Sequence, residues 1–197
     1  YAISYPEKCK ALILRGIFLL RKFEIDWFYQ HGCSMIYPDE WENYKSVIPK
    51  QEQNNFVKAY YKRLTSKNKN IRLKAATAWS KWEASTSKLV QKKKSLHHFD
   101  NPKVAEAFAR IECHYFINNA FFNTDNWILK NINKIQHIPG AIIQGRYDVV
   151  CPMQSAWDLH KKLNHFEFYI INKAGHSMLE KDIQTQLIEC TNRFIKY

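Results

Sequence analysis

The sequence predicts an α/β protein whose parallel sheet is interrupted by a block of helices. Three observations predict this. The last third alternates two short apolar runs with two helical patterns. A third apolar run stands alone near the first residues. Between them, residues 23–126 carry apolar positions at helical spacing and almost no β-branched clusters.

In chain order, residues 1–5, closed by Pro6, read as the tail of a helix. Lys10-Ala11-Leu12-Ile13-Leu14, ending in Arg15-Gly16, suits a buried strand. Phe56, Ala59, Tyr60 and Leu64 form one helical stripe. Leu73, Ala76, Ala78 and Trp79, with Trp82, form a second, and Val104, Ala107, Phe108, Ile111 and Tyr115 a third. Asn101-Pro102 is a helix start, with proline in the first turn. Residues 66–70 and 91–100 are polar connections. Residues 141–144 then read as a strand entered through Ile138-Pro139-Gly140. A helix over 155–163, a strand over 166–171 and an amphipathic helix over 183–195 complete the chain. The domains expected are a sheet-bearing core from residues 1–22 and 127–197, and a helical domain from 23–126.

Composition narrows the function. Hydrophobic residues at 46% and aromatics at 15% imply a packed core rather than disorder. No run approaches the roughly 20 apolar residues of a membrane span. The five glycines, Gly16, Gly32, Gly140, Gly145 and Gly175, exclude a P-loop and a G-x-G-x-x-G motif within these residues. The net charge of +12 raises nucleic acid as a partner, but the lysines are spread out. Their densest run, Lys92-Lys93-Lys94, lies in a polar connection. Five cysteines without a C-x-x-C pair fit isolated thiols in a reducing compartment.

Two loops follow the two late strands: Gly145-Arg146-Tyr147-Asp148 and Ala174-Gly175-His176-Ser177. In open parallel sheets, reacting groups gather at the carboxyl ends of strands. A lone Asp there is ordinarily a turn residue, and a lone His after Gly is ordinarily structural. The pair, in the order Asp then His, matches the acid and base of an α/β-hydrolase triad. The nucleophile is the missing member. No serine has small residues on both sides in a strand-to-helix setting. Gly32-Cys33-Ser34-Met35-Ile36 lacks the second glycine and sits in helical sequence, and Ser177 follows the histidine itself.

Several stretches together resemble the proline iminopeptidases (prolyl aminopeptidases) of the α/β-hydrolase superfamily. They are Tyr5-Pro6-Glu7, Leu12-Ile13-Leu14-Arg15-Gly16-Ile17-Phe18, Ile25-Asp26-Trp27-Phe28-Tyr29-Gln30 and Ala78-Trp79-Ser80-Lys81-Trp82-Glu83. Further along come Ala109-Arg110-Ile111-Glu112-Cys113-His114-Tyr115-Phe116, Gln144-Gly145-Arg146-Tyr147-Asp148-Val149-Val150-Cys151-Pro152 and Ala174-Gly175-His176-Ser177. The likeness runs nearly end to end in one order.

The resemblance implies an α/β-hydrolase core interrupted by a helical cap. It implies a serine exopeptidase that releases N-terminal proline from peptides, cytoplasmic, with no metal or cofactor and no nucleic-acid or membrane partner. It makes Asp148 the triad acid and His176 the base. Glu83 and Glu112 would hold the cationic imino end of the substrate, since burying that charge unpaired is costly. Phe18, Phe28, Tyr147 and Cys151 would line the pyrrolidine pocket, and Arg15 would orient a cap glutamate. Phe28 stands where relatives often carry Tyr. Without the resemblance, Glu83 and Glu112 read as solvated helix faces, Phe18 and Phe28 as plain core and Cys151 as an inert buried thiol. The family's Ser elbow and oxyanion motif precede its Tyr-Pro-Glu segment. The chain is therefore expected to be a C-terminal portion, inactive and poorly soluble if made alone because its strand edges lack neighbours. The alternatives are another capped hydrolase (an esterase, or an epoxide hydrolase with a carboxylate nucleophile), a truncated binding protein, or a nucleic-acid binder driven by charge.

Overall fold

The computed structural model describes residues 1–91 and 101–195. The Lys92-Lys93-Lys94 run and all but the first residue of the polar connection 91–100 lie outside the described residues. The chain begins with strand β1 (Leu12–Arg15) and helices α1 (Lys22–Tyr29), α2 (Cys33–Ile36), α3 (Pro38–Ser46), α4 (Phe56–Leu64), α5 (Lys69–Thr86) and α6 (Pro102–Ile117). It continues through the single-turn α7 (Trp127–Lys130), β2 (Gly140–Gly145), α8 (Met153–Lys162), β3 (Glu167–Ile171) and α9 (Lys181–Phe194). Two units result. One joins Tyr1–Arg21 to Asn126–Tyr197, and the other is Lys22–Asp125.

The first unit is built on a parallel sheet, ordered β1-β2-β3 among the described residues. Leu12 pairs with Gly140, and Ala141 with Glu167. β2 is buried along its whole length, as a central parallel strand covered on both faces must be. Its side chains alternate. Ile142 joins Ile17, Leu19, Ile138, Leu159 and Leu163 on one face. Ala141 and Ile143 join Ala174, Ile183 and Cys190 on the other. Thus α8 and α9 cover opposite faces. The first strand starts two residues later than the apolar run and takes in Arg15, because the ladder opens where Leu12 meets Gly140. Residues 1–5 form one turn, with the Tyr5 N–H donating to the Tyr1 carbonyl at 2.9 Å, and a 3-10 turn, Pro6–Lys8, follows.

Gly145 closes the sheet at its carboxyl end. A Cβ there would stand 1.9 Å from the Gly175 carbonyl oxygen. The absent side chain lets the loops after β2 and β3 touch. Arg146 N–H donates to the Ile171 carbonyl at 2.9 Å, and Tyr147 N–H to that of Ala174 at 3.0 Å. Gly145→Ala must push these loops apart. It is expected to cost about 1–3 kcal/mol of stability, in line with overpacked sites. Denaturant unfolding of the two proteins measures the difference, and an unchanged midpoint would deny the contact its importance.

The helical unit packs around aromatic side chains. Trp79 and Tyr60 are fully buried, and Tyr44 stacks on Tyr60 at 4.5 Å. Asn side chains start three of its helices: Asn55 accepts from Lys58 N–H, Asn68 from Asn70 N–H, and Asn101 from Lys103 N–H. Pro102 takes the first turn of α6. No helix of the described residues is long and apolar enough to cross a membrane.

Candidate active site

In the sheet unit, the turn after β2 places Asp148. Its N–H donates to the Gly145 carbonyl at 3.3 Å. Its carboxylate then folds back on its own chain, a short-range habit of Asp in turns. Oδ1 accepts from the N–H groups of Val150 at 3.1 Å and Cys151 at 2.8 Å. Oδ2 accepts from Gln144 Nε2 at 3.0 Å and from His176 Nδ1 at 2.9 Å. The Asp148 side chain is 1% exposed and that of His176 20%. The carboxylate is thus out of water with both oxygens satisfied, while the imidazole is partly accessible. An ionised carboxylate only accepts, so Nδ1 carries the hydrogen and Nε2 presents its lone pair. This is the tautomer a general base needs.

The end of β1 braces the imidazole from another side. Arg15 Nη1 donates to the His176 carbonyl oxygen. Gly16, at φ +53°, lies against the ring: a Cβ there would be 2.9 Å from His176 Cε1. Glycine is needed twice over at this point, for the left-handed backbone and for the close approach. On the far side of the loop, Gly175 N–H donates to Glu180 Oε1 at 2.9 Å, tying the histidine loop to the start of α9.

The helical unit holds a second polar cluster. Glu83 on α5 and Glu112 on α6 are carboxylates among aromatic rings. Tyr29 Oη donates to Glu83 Oε1, and Trp79 Nε1 donates to Glu112 Oε2 at 2.9 Å. The Tyr29 and Trp79 rings stack 4.4 Å apart, at 18°. Glu83 is 8% exposed. Burial first, then the Glu112 charge, raise the Glu83 carboxyl well above its ordinary range, against the Tyr29 hydrogen bond. Burial likewise pushes Glu112 up to about 7, against the Trp79 hydrogen bond. Tyr29 is raised by burial and by both glutamates, so its hydroxyl stays a donor.

A raised carboxyl has a definite consequence for stability. In the unfolded chain Glu112 loses its proton in the ordinary carboxylate range, while in the fold it keeps it until about pH 7. Between those limits the native state binds more protons, so stability falls as pH rises and levels off above about 7. The expected loss is roughly 3 kcal/mol. Unfolding free energies of the wild type and Glu112→Gln, compared across this window, measure it. A difference that does not change with pH would contradict the assignment.

The remaining expected residues are placed as follows. Cys151 is 6% exposed and contributes its backbone to Asp148: its N–H is donated, and its carbonyl accepts from Gln144 Nε2 at 2.8 Å. Tyr147, on the same loop, is exposed. Phe18 is half-buried, just beyond the Gly16-Ile17 turn. Phe28 is 2% exposed within the helical unit, its ring 5.4 Å from Trp82 and its carbonyl accepting from Trp82 Nε1. Arg15, Tyr147, Asp148, Cys151 and His176 therefore share the carboxyl end of the sheet. Glu83, Glu112 and Phe28 share the helical unit. The sequence reading did not single out Gln144, Gly16, Tyr29 or Trp79 as parts of these clusters. The signal for Gln144 was one polar residue in a run of apolar ones. Among the described residues no three His, Cys, Asp or Glu side chains gather as a metal ion would need.

A family model described as alpha/beta hydrolase fold matches residues 1–182. Among curated proteins, a probable proline iminopeptidase of Leptolyngbya boryana is 54% identical over 99% of this chain and 61% of its own length. A proline iminopeptidase of Xylella fastidiosa (strain 9a5c) is 46% identical over 99% of this chain and 62% of its own. One of Arabidopsis thaliana is 49% identical over 95% of this chain and 50% of its own. The chain thus spans between half and 62% of these relatives. Among solved structures, an esterase of Exiguobacterium antarcticum superposes with a TM-score of 0.51 at 13% identity, covering 98% of this chain and 62% of that one. At that identity the likeness concerns the fold alone.

Proposed function

We propose that this chain, which belongs to the alpha/beta hydrolase fold family, serves a serine exopeptidase that releases N-terminal proline from peptides. The observation that carries the reading is the Asp148–His176 pair, 2.9 Å apart at the ends of neighbouring strands with the carboxylate buried. The names of the relatives support the substrate. His176 Nε2 takes the proton of a serine hydroxyl as the oxygen attacks the carbonyl carbon of the N-terminal proline itself. Asp148 stabilises the imidazolium that forms, and the imidazolium then protonates the leaving amine. Water repeats the sequence on the prolyl ester and frees proline. The reading requires a serine and oxyanion donors besides these residues. No serine of these 197 residues has the flanking small residues of an elbow.

Glu83 and Glu112 account for recognition of the charged amino end. A secondary ammonium carries two N–H donors. Each carboxylate gives only part of its acceptor capacity to Tyr29 or Trp79 and keeps the rest for a ligand. Arg15 is a positioning residue through the His176 carbonyl. Phe18, Phe28, Tyr147 and Cys151 remain in the proposal as the apolar lining. A bulky maleimide that reached Cys151 would block ligand binding, and absence of any effect would remove it from the lining. Peptides are the partners, and the setting is cytoplasmic and reducing, which the five free cysteines support. Turnover of prolyl arylamides against simple acyl esters by the whole protein tests the reading. Preference for the arylamide is expected, and preference for the ester would replace the peptidase by an esterase.

A further inference from the structure

Gln144 is the one amide side chain buried in the middle strand, with no exposed surface. Burying a primary amide is unfavourable unless its polar atoms find partners. Here its donor group and its acceptor are both engaged. Nε2 donates to Asp148 Oδ2 at 3.0 Å and to the Cys151 carbonyl at 2.8 Å. Oε1 accepts from the Ile17 N–H at 2.9 Å. One planar amide thus joins three segments: the chain leaving β1, the Asp148 carboxylate, and the segment entering α8. The residues just before Ile17 are those that brace His176, with Gly16 against its ring and Arg15 on its carbonyl.

We propose that Gln144 is a positioning residue for the dyad: it fixes the rotation of the Asp148 carboxylate so that Oδ2 meets His176 Nδ1, and holds that carboxylate in register with the Gly16-Ile17 turn against the imidazole. The inference rests on reading His176 and Asp148 as base and orienting acid. A plain structural role would use the amide only to satisfy the Ile17 N–H and the Cys151 carbonyl. The distinguishing contact is the donor on Asp148 Oδ2, the same oxygen that accepts from the histidine.

Two variants of the whole protein separate these roles. Gln144→Glu keeps the shape and the acceptor for Ile17 but turns an oxygen toward Asp148. Gln144→Met removes every polar atom. Both are expected to lower kcat by about 10- to 100-fold with KM within about twofold, the size of effect seen when a supporting hydrogen bond or the alignment of a reacting group is lost. In both, the downfield proton resonance of the His176 Nδ1–H should move or vanish while the rest of the spectrum stays folded. A folded variant that keeps that resonance and its kcat overturns the proposal, whatever its loss of stability. Should neither variant fold, the unmodified protein decides. The Gln144 side-chain amide protons should exchange slowly and shift in Asp148→Asn, and fast exchange or an unmoved signal overturns the proposal equally. The resonances need no substrate, so a protein that cleaves no prolyl peptide would defeat the functional reading and leave this test standing.

Discussion

Asp148→Asn is expected to lower kcat of the whole protein by about 10⁴-fold while the protein still folds. The asparagine Oδ1 can keep the two backbone donors, Val150 and Cys151 N–H, so the turn survives. Its Nδ2 would replace the oxygen that accepts from Gln144 Nε2 and His176 Nδ1. Donor would then face donor at both contacts. The imidazole can escape only by moving its hydrogen to Nε2, which leaves Nδ1 as the acceptor. That tautomer cannot take a proton from the nucleophile. The loss therefore belongs in kcat, with circular dichroism and melting showing a folded protein. Turnover within about tenfold of wild type would remove Asp148 from the role of triad acid.

The second large effect belongs to the glutamates. Glu83→Gln or Glu112→Gln is expected to lower kcat/KM on substrates with a free N-terminal proline by about a hundred- to a thousandfold, since truncating one side of a buried charge contact costs ~2–5 kcal/mol. An uncharged acyl ester should be slowed far less. The Tyr29 and Trp79 donors touch one oxygen of each carboxylate and do not neutralise them. A cationic ligand is the natural counter-charge for the pair, and its binding must draw off the protons that burial keeps on Glu83 and Glu112. Affinity for amine-bearing ligands should therefore rise as pH rises toward about 7. Equal losses on charged and uncharged substrates would show that the glutamates hold the fold rather than the amino end.

Much of this was legible in the residues, for physical reasons. β2 announces itself because a strand covered on both faces must be apolar almost throughout, and β3 by its run of aromatic and β-branched residues. Asp148 and His176 stand out because each follows one of these strands. The stripe Phe56, Ala59, Tyr60 and Leu64 marks α4 because one face of that helix is dry. Glu83 read as a solvated face by its type, and only its spacing argued otherwise. It lies four residues after Trp79 and seven after Ala76, so helical geometry puts it on the buried face of α5, where a carboxylate needs a reason. Glu112 flanks the buried stripe of Ala105, Ala109 and Cys113 and gave a weaker signal.

Other features stayed hidden because they depend on partners far along the chain. Gln144 owes its role to Ile17, 127 residues away. The close approach at Gly16 is set by His176, and that at Gly145 by Gly175. Tyr29 and Trp79 look like ordinary core aromatics until their polar atoms are seen on the two glutamates. The late start of β1 was likewise a matter of register with β2, which no local pattern records.

The most direct test compares two peptides that differ only in an acetyl group: one beginning with free proline, and the same peptide acetylated on the proline nitrogen. Release of proline from the first by the whole protein, with the second left intact and His176→Ala inactive on both, is the result this account predicts. Cleavage of the acetylated peptide at a comparable rate, or undiminished cleavage by His176→Ala, would contradict it.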